Sequence, residues 1–184
     1  ESDALVEIFN FHPLAVEDCI SDLSQPKVDD YEEYLFLVMH AVNLKSEIQF
    51  STIELDTFLG RNYVVTFHKE PVKSVLQVRE SVQKKPEVFM GHGADLLVHA
   101  LLDHLVDNYT PVLDQYDERI DLLEEEMFNS PSKDYLALVM QVKRDIFHLR
   151  RIVGPQRDTV NFLTRNPTAF IKPKHMMYFR DVYD

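Results

Sequence analysis

Residues 94–127 read ADLLVHALLDHLVDNYTPVLDQYDERIDLLEEEM, and the fold turns on their spacing. Leu97, Leu101, Leu105, Tyr109, Leu113, Tyr116, Ile120, Leu123 and Met127 recur every three or four residues, which predicts a long amphipathic helix. At 1.5 Å per residue it would run to roughly 50 Å, with a bend at Pro111, whose ring and missing N–H disturb the preceding turn. Ser130-Pro131-Ser132 breaks the pattern, with Ser130 suited to cap the next helix. Leu138, Val142, Ile146, Leu149, Val153, Val160 and Leu163 then give that second helix, so the pair predicts an antiparallel helical hairpin.

The residues before the hairpin have a different character. A helix is expected over Ala4–Phe9, and a second opens at His12-Pro13 with Leu14, Val16 and Ile20 inward and Glu17 and Asp18 in its first turns. Pro26 leads into an extended segment. Tyr34–Met39 is an unbroken apolar, β-prone run and predicts a buried strand. Ile48–Phe58 alternates with one slip near Ser51-Thr52, and a turn at Gly60-Arg61-Asn62 leads to a third strand at Tyr63–Phe67. Short connections predict an antiparallel meander or part of a mixed sheet. A helix from Pro71 to Val82 comes next, then a loop bracketed by Lys84-Lys85-Pro86 and Gly91-His92-Gly93.

Charge sharpens the picture. The net charge of -12 disfavours nucleic acid, which needs a basic face, and favours a cationic partner, either a basic protein surface or a divalent metal. The first hairpin helix carries Asp103, Asp107, Asp114, Asp117, Glu118, Asp121 and Glu124–Glu126, against Arg119 as its only base. The return helix carries Lys143, Arg144, Arg150, Arg151, Arg157 and Arg165, so cross-helix ion pairs are expected, each worth under about 1 kcal/mol if exposed. The Glu124-Glu125-Glu126 tip lies far from most of those bases and is either a solvated end or a cation-attracting surface.

Enzymatic chemistry finds little support. There is no Gly-x-Ser-x-Gly elbow and no phosphate-cradling glycine loop. His99 and His104 are five apart, the wrong spacing for one helical face, so a His/Cys zinc site is weak. Cys19 is the only cysteine, which excludes an internal disulfide. It follows Glu17-Asp18, whose charges raise a thiol pKa, so a small buried residue is the better reading. Hard-cation chemistry remains: Mg2+ keeps most of its waters and needs only one or two carboxylates. No apolar stretch is long enough to span a bilayer, and the acidic N-terminus is unlike a signal peptide. At the other end, Tyr178–Asp184 is a helical pattern with no Gly, Asn or Pro to close it, which predicts a helix continuing beyond Asp184.

Four stretches together carry a specific resemblance. His12-Pro13-Leu14-Ala15-Val16-Glu17-Asp18, Gln25–Tyr31 (QPKVDDY), Leu122–Glu126 (LLEEE) and Tyr178–Asp184 (YFRDVYD) resemble, in the same order, the CorA family of divalent-cation channels. The resemblance implies a homopentameric transporter. Its cytoplasmic funnel is an α/β sandwich, then a pair of acidic antiparallel helices, then a stalk helix entering the membrane. It also implies Mg2+ bound between neighbouring cytoplasmic domains, holding the pore shut. Asp18 and Asp181 match the ligands between protomers, and Glu17, Asp103 and Asp184 match residues near a second site. Two carboxylates facing each other at about 4 Å without a cation would repel by roughly 4 kcal/mol at an effective dielectric of 20.

In three respects the chain departs from the family pattern: it begins after the family's first strands, stops before the transmembrane helices, and lacks the Gly-Met-Asn selectivity motif. The expected fold is therefore α+β: a partial α/β/α sandwich over residues 1–91, a long acidic antiparallel hairpin over 92–171 and the start of a stalk helix over 172–184. The expected function is the metal-sensing regulatory domain of a CorA-like channel for Mg2+, Co2+ or a related ion, on the cytoplasmic face of the inner membrane. The competing reading is a soluble acidic hairpin that binds a basic protein and has no transport role.

Overall fold

The computed structural model describes residues 2–21, 24–43, 50–130, 135–166 and 168–184. Two short helices, α1 (Ser2–Glu7) and α2 (Pro13–Ile20), precede strands β1 (Lys27–Asp30), β2 (Leu35–Val42), β3 (Thr52–Leu59) and β4 (Val64–Phe67). Next come helices α3 (Lys73–Lys84), α4 (Pro86–Met90), α5 (Ala94–Asp107), α6 (Thr110–Asn129) and α7 (Leu136–Arg165). A 3-10 turn at Pro173–His175 then leads into α8 (Met176–Tyr183).

The strands form an antiparallel meander in the order β1-β2-β3-β4. The extended segment after Pro26 is the edge strand β1. Its sequence, Lys-Val-Asp-Asp, has too few apolar positions to announce a strand by alternation. All of β2 is buried because helices cover both faces of the sheet. Leu35, Leu37 and Met39 point with Leu55 and Leu59 into a large core completed by α3, α5, α7 and α8. Phe36, Val38 and Phe58 point the other way, onto Leu5, Phe11, Ala15 and Val16 of the α1–α2 layer. Helix, sheet and helix therefore stack in three layers, an α+β sandwich.

β2 outruns β1, pairing with it only over Leu35–Val38. Beyond that point the peptide of His40 finds its partners in side chains. Its N–H donates to Gln156 Oε1, and its carbonyl accepts from Tyr109 Oη at 2.7 Å. Gln156 Nε2 in turn donates to Tyr109 Oη at 3.2 Å. A buried backbone edge left bare would be costly, so this network fixes α7 and the α5–α6 junction to the sheet.

Several elements differ from sequence expectation. The periodic stretch 94–127 is not one bent helix: α5 stops at Asp107 and α6 restarts at Thr110. Pro111 offers no N–H to Asp107, and the chain tightens so that Tyr109 N–H donates to Val106 O at 2.9 Å. In α2, Leu14 and Ile20 are exposed, and the inward side is Ala15, Val16 and Cys19, small enough for close approach to the sheet. Where a loop was expected after Lys85, α4 forms with Pro86 in its first turn. Ser130 closes α6, donating its N–H to Glu126 O at 2.9 Å, and does not open the next helix. Pro131 and Ser132, and the start of the predicted strand at Ile48, fall outside the described residues.

The expected cross-helix ion pairs are not found among the described residues. Lys143 lies over the Phe147 ring, Arg144 donates to Gln141 Oε1, and Arg157 lies over the Tyr183 ring at 4.7 Å. A neutral donor joins the arms instead: Tyr116 Oη donates to the buried Asp145 at 2.9 Å.

Candidate metal-binding carboxylates

α2 positions the first pair. His12 caps the helix, its Nδ1 accepting from Leu14 N–H at 3.2 Å, and Pro13 opens the first turn. Glu17 and Asp18 consequently fall in the second turn of α2, beyond the first-turn N–H groups, and gain little from the helix dipole. Glu17 is exposed and Asp18 half-buried. Asp18 Oδ2 accepts from Lys27 Nζ at 2.7 Å, and Lys27 also pairs with Asp29 at 2.9 Å. Burial pulls the Lys27 ammonium the other way, but hydrogen bonds to Asp18 and Asp29 hold its pKa well above the usual lysine range. A cation thus already sits on Asp18.

α8 positions the second pair, and its root is tightly held. Asp95, buried in the first turn of α5, accepts from Lys172 N–H at 3.0 Å and pairs with His175 Nδ1 at 2.7 Å. Lys172 Nζ donates to His92 O at 2.8 Å, passing so close to Gly93 (φ 125°) that a Cβ there would meet it at 2.5 Å. Phe179 is fully buried, against the edge of the His99 ring. Asp181 stands about 200° around the helix from Phe179 and is exposed, as is Asp184.

The two pairs therefore lie on opposite faces of the sheet, α2 packed on one core cluster and α8 on the other. Two layer spacings put them on the order of 20 Å apart. One Mg2+, with oxygen ligands at about 2.0–2.1 Å, cannot join them within a chain.

Asp103 belongs to a third place. Its carboxylate, His104 and Asp107 bring ligand atoms within 4.8 Å of one another on α5, the one such group among the described residues. The sequence signal for this group is Asp107, four residues after Asp103 on the same helical face, and the His99–His104 spacing does not carry it. His99 instead packs on Tyr178 and Phe179. Glu17 is separated from Asp103 and Asp184 by the sheet, whereas α5 and α8 pack together.

The family model described as CorA-like Mg2+ transporter protein matches residues 1–184. The chain belongs to the CorA family. It is 34% identical to YfjQ of Bacillus subtilis (strain 168) over 187 residues, covering 100% of this chain and 56% of that relative. It is 32% identical to the cobalt/magnesium transport protein CorA of Thermotoga maritima, covering 97% of this chain and 51% of the relative. The chain thus spans about half the length of the curated relatives it matches.

The fold agrees. The complete structure of the CorA magnesium transporter from Methanocaldococcus jannaschii superposes with a TM-score of 0.84 at 15% identity, covering 100% of this chain and 57% of that one. The ZntB cytoplasmic domain from Vibrio parahaemolyticus gives 0.79 at 13% identity, covering 98% and 71%. No helix among the described residues is long and apolar enough to cross a membrane.

Proposed function

We propose that this CorA-family chain is the metal-sensing cytoplasmic part of a homopentameric divalent-cation channel. Mg2+ held between neighbouring subunits favours the closed pore, and Asp18 of one subunit and Asp181 of the next supply its protein ligands. Glu17, Asp103 and Asp184 contribute to a second site, and helices beyond Asp184 carry the chain into the membrane. Co2+ or a related dication can take the place of Mg2+.

The observation that carries this reading is the placement of α2 and α8. Their exposed or half-buried carboxylates lie on opposite faces of one sheet and can share an ion only if two chains meet. Symmetric association brings one face of a subunit to the other face of its neighbour in a closed ring. Two things then oppose repulsion between the facing carboxylates: Lys27 on Asp18 and the bound ion. When the ion leaves, Asp181 is repelled, and the Asp95–His175 tie carries the displacement from α8 into α5.

The test uses the full-length protein. Mg2+ should raise its melting temperature as concentration passes the Kd, and NaCl at matched ionic strength should not. Asp18→Ala should abolish that difference. Equal stabilisation by NaCl would instead favour the acidic interaction module, a reading supported by the α7 bases Lys143, Arg144 and Arg157, which turn to rings and an amide.

A further inference from the structure

A cavity of about 510 Å3 opens where the α5–α6 junction, α7 and the end of α8 meet. Small-molecule sites usually fall between about 300 and 1,000 Å3 and are mostly apolar. The walls here are apolar. Val106, Leu113, Ile146 and Val153 line the cavity, and each is still between 40% and 45% exposed. Large aliphatic side chains from three helices therefore converge on one void and stay wetted, a cost that an apolar occupant would remove.

The deep end offers a ligand little polarity. Met39 of β2 reaches it and is buried. Tyr109 and Gln156, also buried there, direct their hydrogen bonds to each other and to the His40 peptide. The mouth is cationic. Arg150 and Arg157, both exposed, line it two turns apart on α7, and among the described residues neither forms a salt bridge. The Arg157 guanidinium lies over the Tyr183 ring at 4.7 Å. Stacking of this kind fixes the guanidinium plane and leaves its N–H edge free to donate. Asp184 is the one acidic residue of the lining, so the mouth keeps a net positive charge.

We propose that this cavity binds one fatty acid. Its alkyl chain packs on Val106, Leu113, Ile146 and Val153, and its carboxylate accepts charge-assisted hydrogen bonds from Arg157 at the mouth. Arg150 adds attraction at longer range. A nucleotide or other polyanion does not fit, because the apolar walls would desolvate it without supplying partners. Val182 and Tyr183 of α8 share the lining with Val153 and Arg157 of α7, so an occupant braces the end of α8 against α7. The site stands apart from the ion proposed between Asp18 and Asp181.

The test is a titration of the 184-residue chain with cis-parinaric acid, a fatty acid whose fluorescence rises in an apolar site. The expected result is saturation at one molecule per chain. Dodecanoate should displace it, and dodecanol, which lacks the charge, should compete at least about tenfold more weakly. Arg157→Gln should weaken binding at least about tenfold. Val153→Trp, filling the void from a half-exposed position, should abolish it, and Phe147→Ser, outside the lining, should leave it unchanged. Circular dichroism checks that each variant is folded. Absence of saturable binding overturns the proposal. Equal competition by dodecanol and dodecanoate overturns it, and so does binding indifferent to both Arg157→Gln and Val153→Trp. In the full-length protein a diazirine-bearing fatty acid should label the α7 peptide that carries Val153. Labelling of the 184-residue chain but not of the full-length protein would assign the void to another segment of the chain and overturn the proposal as well.

Discussion

The sandwich and the hairpin arm share one apolar spacing and use it differently. In the sandwich, Leu101, Leu102 and Leu105 of α5 and Phe179 of α8 disappear into a core shared with β2 and β3. Past Pro111 the same rhythm continues, yet α6 buries only Val112. Leu122, Phe128 and Leu136 stand exposed, Phe128 at 86%. A helical period tells which face is apolar but not what covers it. The sandwich is stabilised by burial within the chain. Polar ties join the two helices of the arm, Tyr116 to Asp145 and Tyr135 Oη to Glu126 O, both at 2.9 Å.

The sharpest way to break this contrast is a pair of aromatic truncations. Phe179→Ala, in the core, should cost about 3–5 kcal/mol, whereas Phe128→Ala should stay within about 0.5 kcal/mol. Urea unfolding of both variants measures the difference, and a comparable loss at Phe128 would mean the arm has a core of its own.

Next in size is the pH dependence set by Asp56. Its folded pKa, about 7, lies above its ordinary value of 3.8. Folding therefore binds the proton more tightly than the unfolded chain does. That stability is fully present below about pH 4 and lost as pH rises through about 7, up to about 4 kcal/mol in all. Asp56→Asn should flatten this part of the stability profile and stabilise the chain at pH 8; an unchanged profile would mean Asp56 is ionised at neutral pH.

A smaller effect is expected at the root of α8. Asp95→Ala removes the acceptor of both His175 and Lys172 N–H and should cost about 1–3 kcal/mol. Hydrogen exchange of the α8 amides should quicken while β2 stays protected. Smallest is Tyr116→Phe, worth about 1 kcal/mol, which should speed exchange in α6 without moving the global unfolding midpoint.

Much of the sandwich is legible in the sequence because its signals are local. The apolar run of β2, the Gly60–Asn62 turn and the His12-Pro13 helix start each specify backbone within a few residues. The strand β1 is not legible, because Lys-Val-Asp-Asp becomes a strand only by pairing with Leu35–Val38. Nor is the inward face of α2, where Ala15 and Cys19 win over Leu14 and Ile20 because close approach to the sheet favours small side chains. Of the candidate carboxylates, Asp18 and Asp181 emerge from motif resemblance. Their separation by the sheet does not, and neither does the nearness of His104 and Asp107 to Asp103. Asp56 gives no sequence signal at all, since a strand aspartate shows its burial only once α2 covers it.

The most direct measurement is a double-mutant cycle on Mg2+-dependent closure of the full-length protein, with Asp18→Ala, Asp181→Ala and both together. If the two carboxylates hold one ion between subunits, each single variant should raise the Mg2+ concentration for half-closure by at least about tenfold, and the double variant should go no further than the larger single shift. Closure unmoved by either substitution, or shifts that simply add, would contradict a shared ion at Asp18 and Asp181.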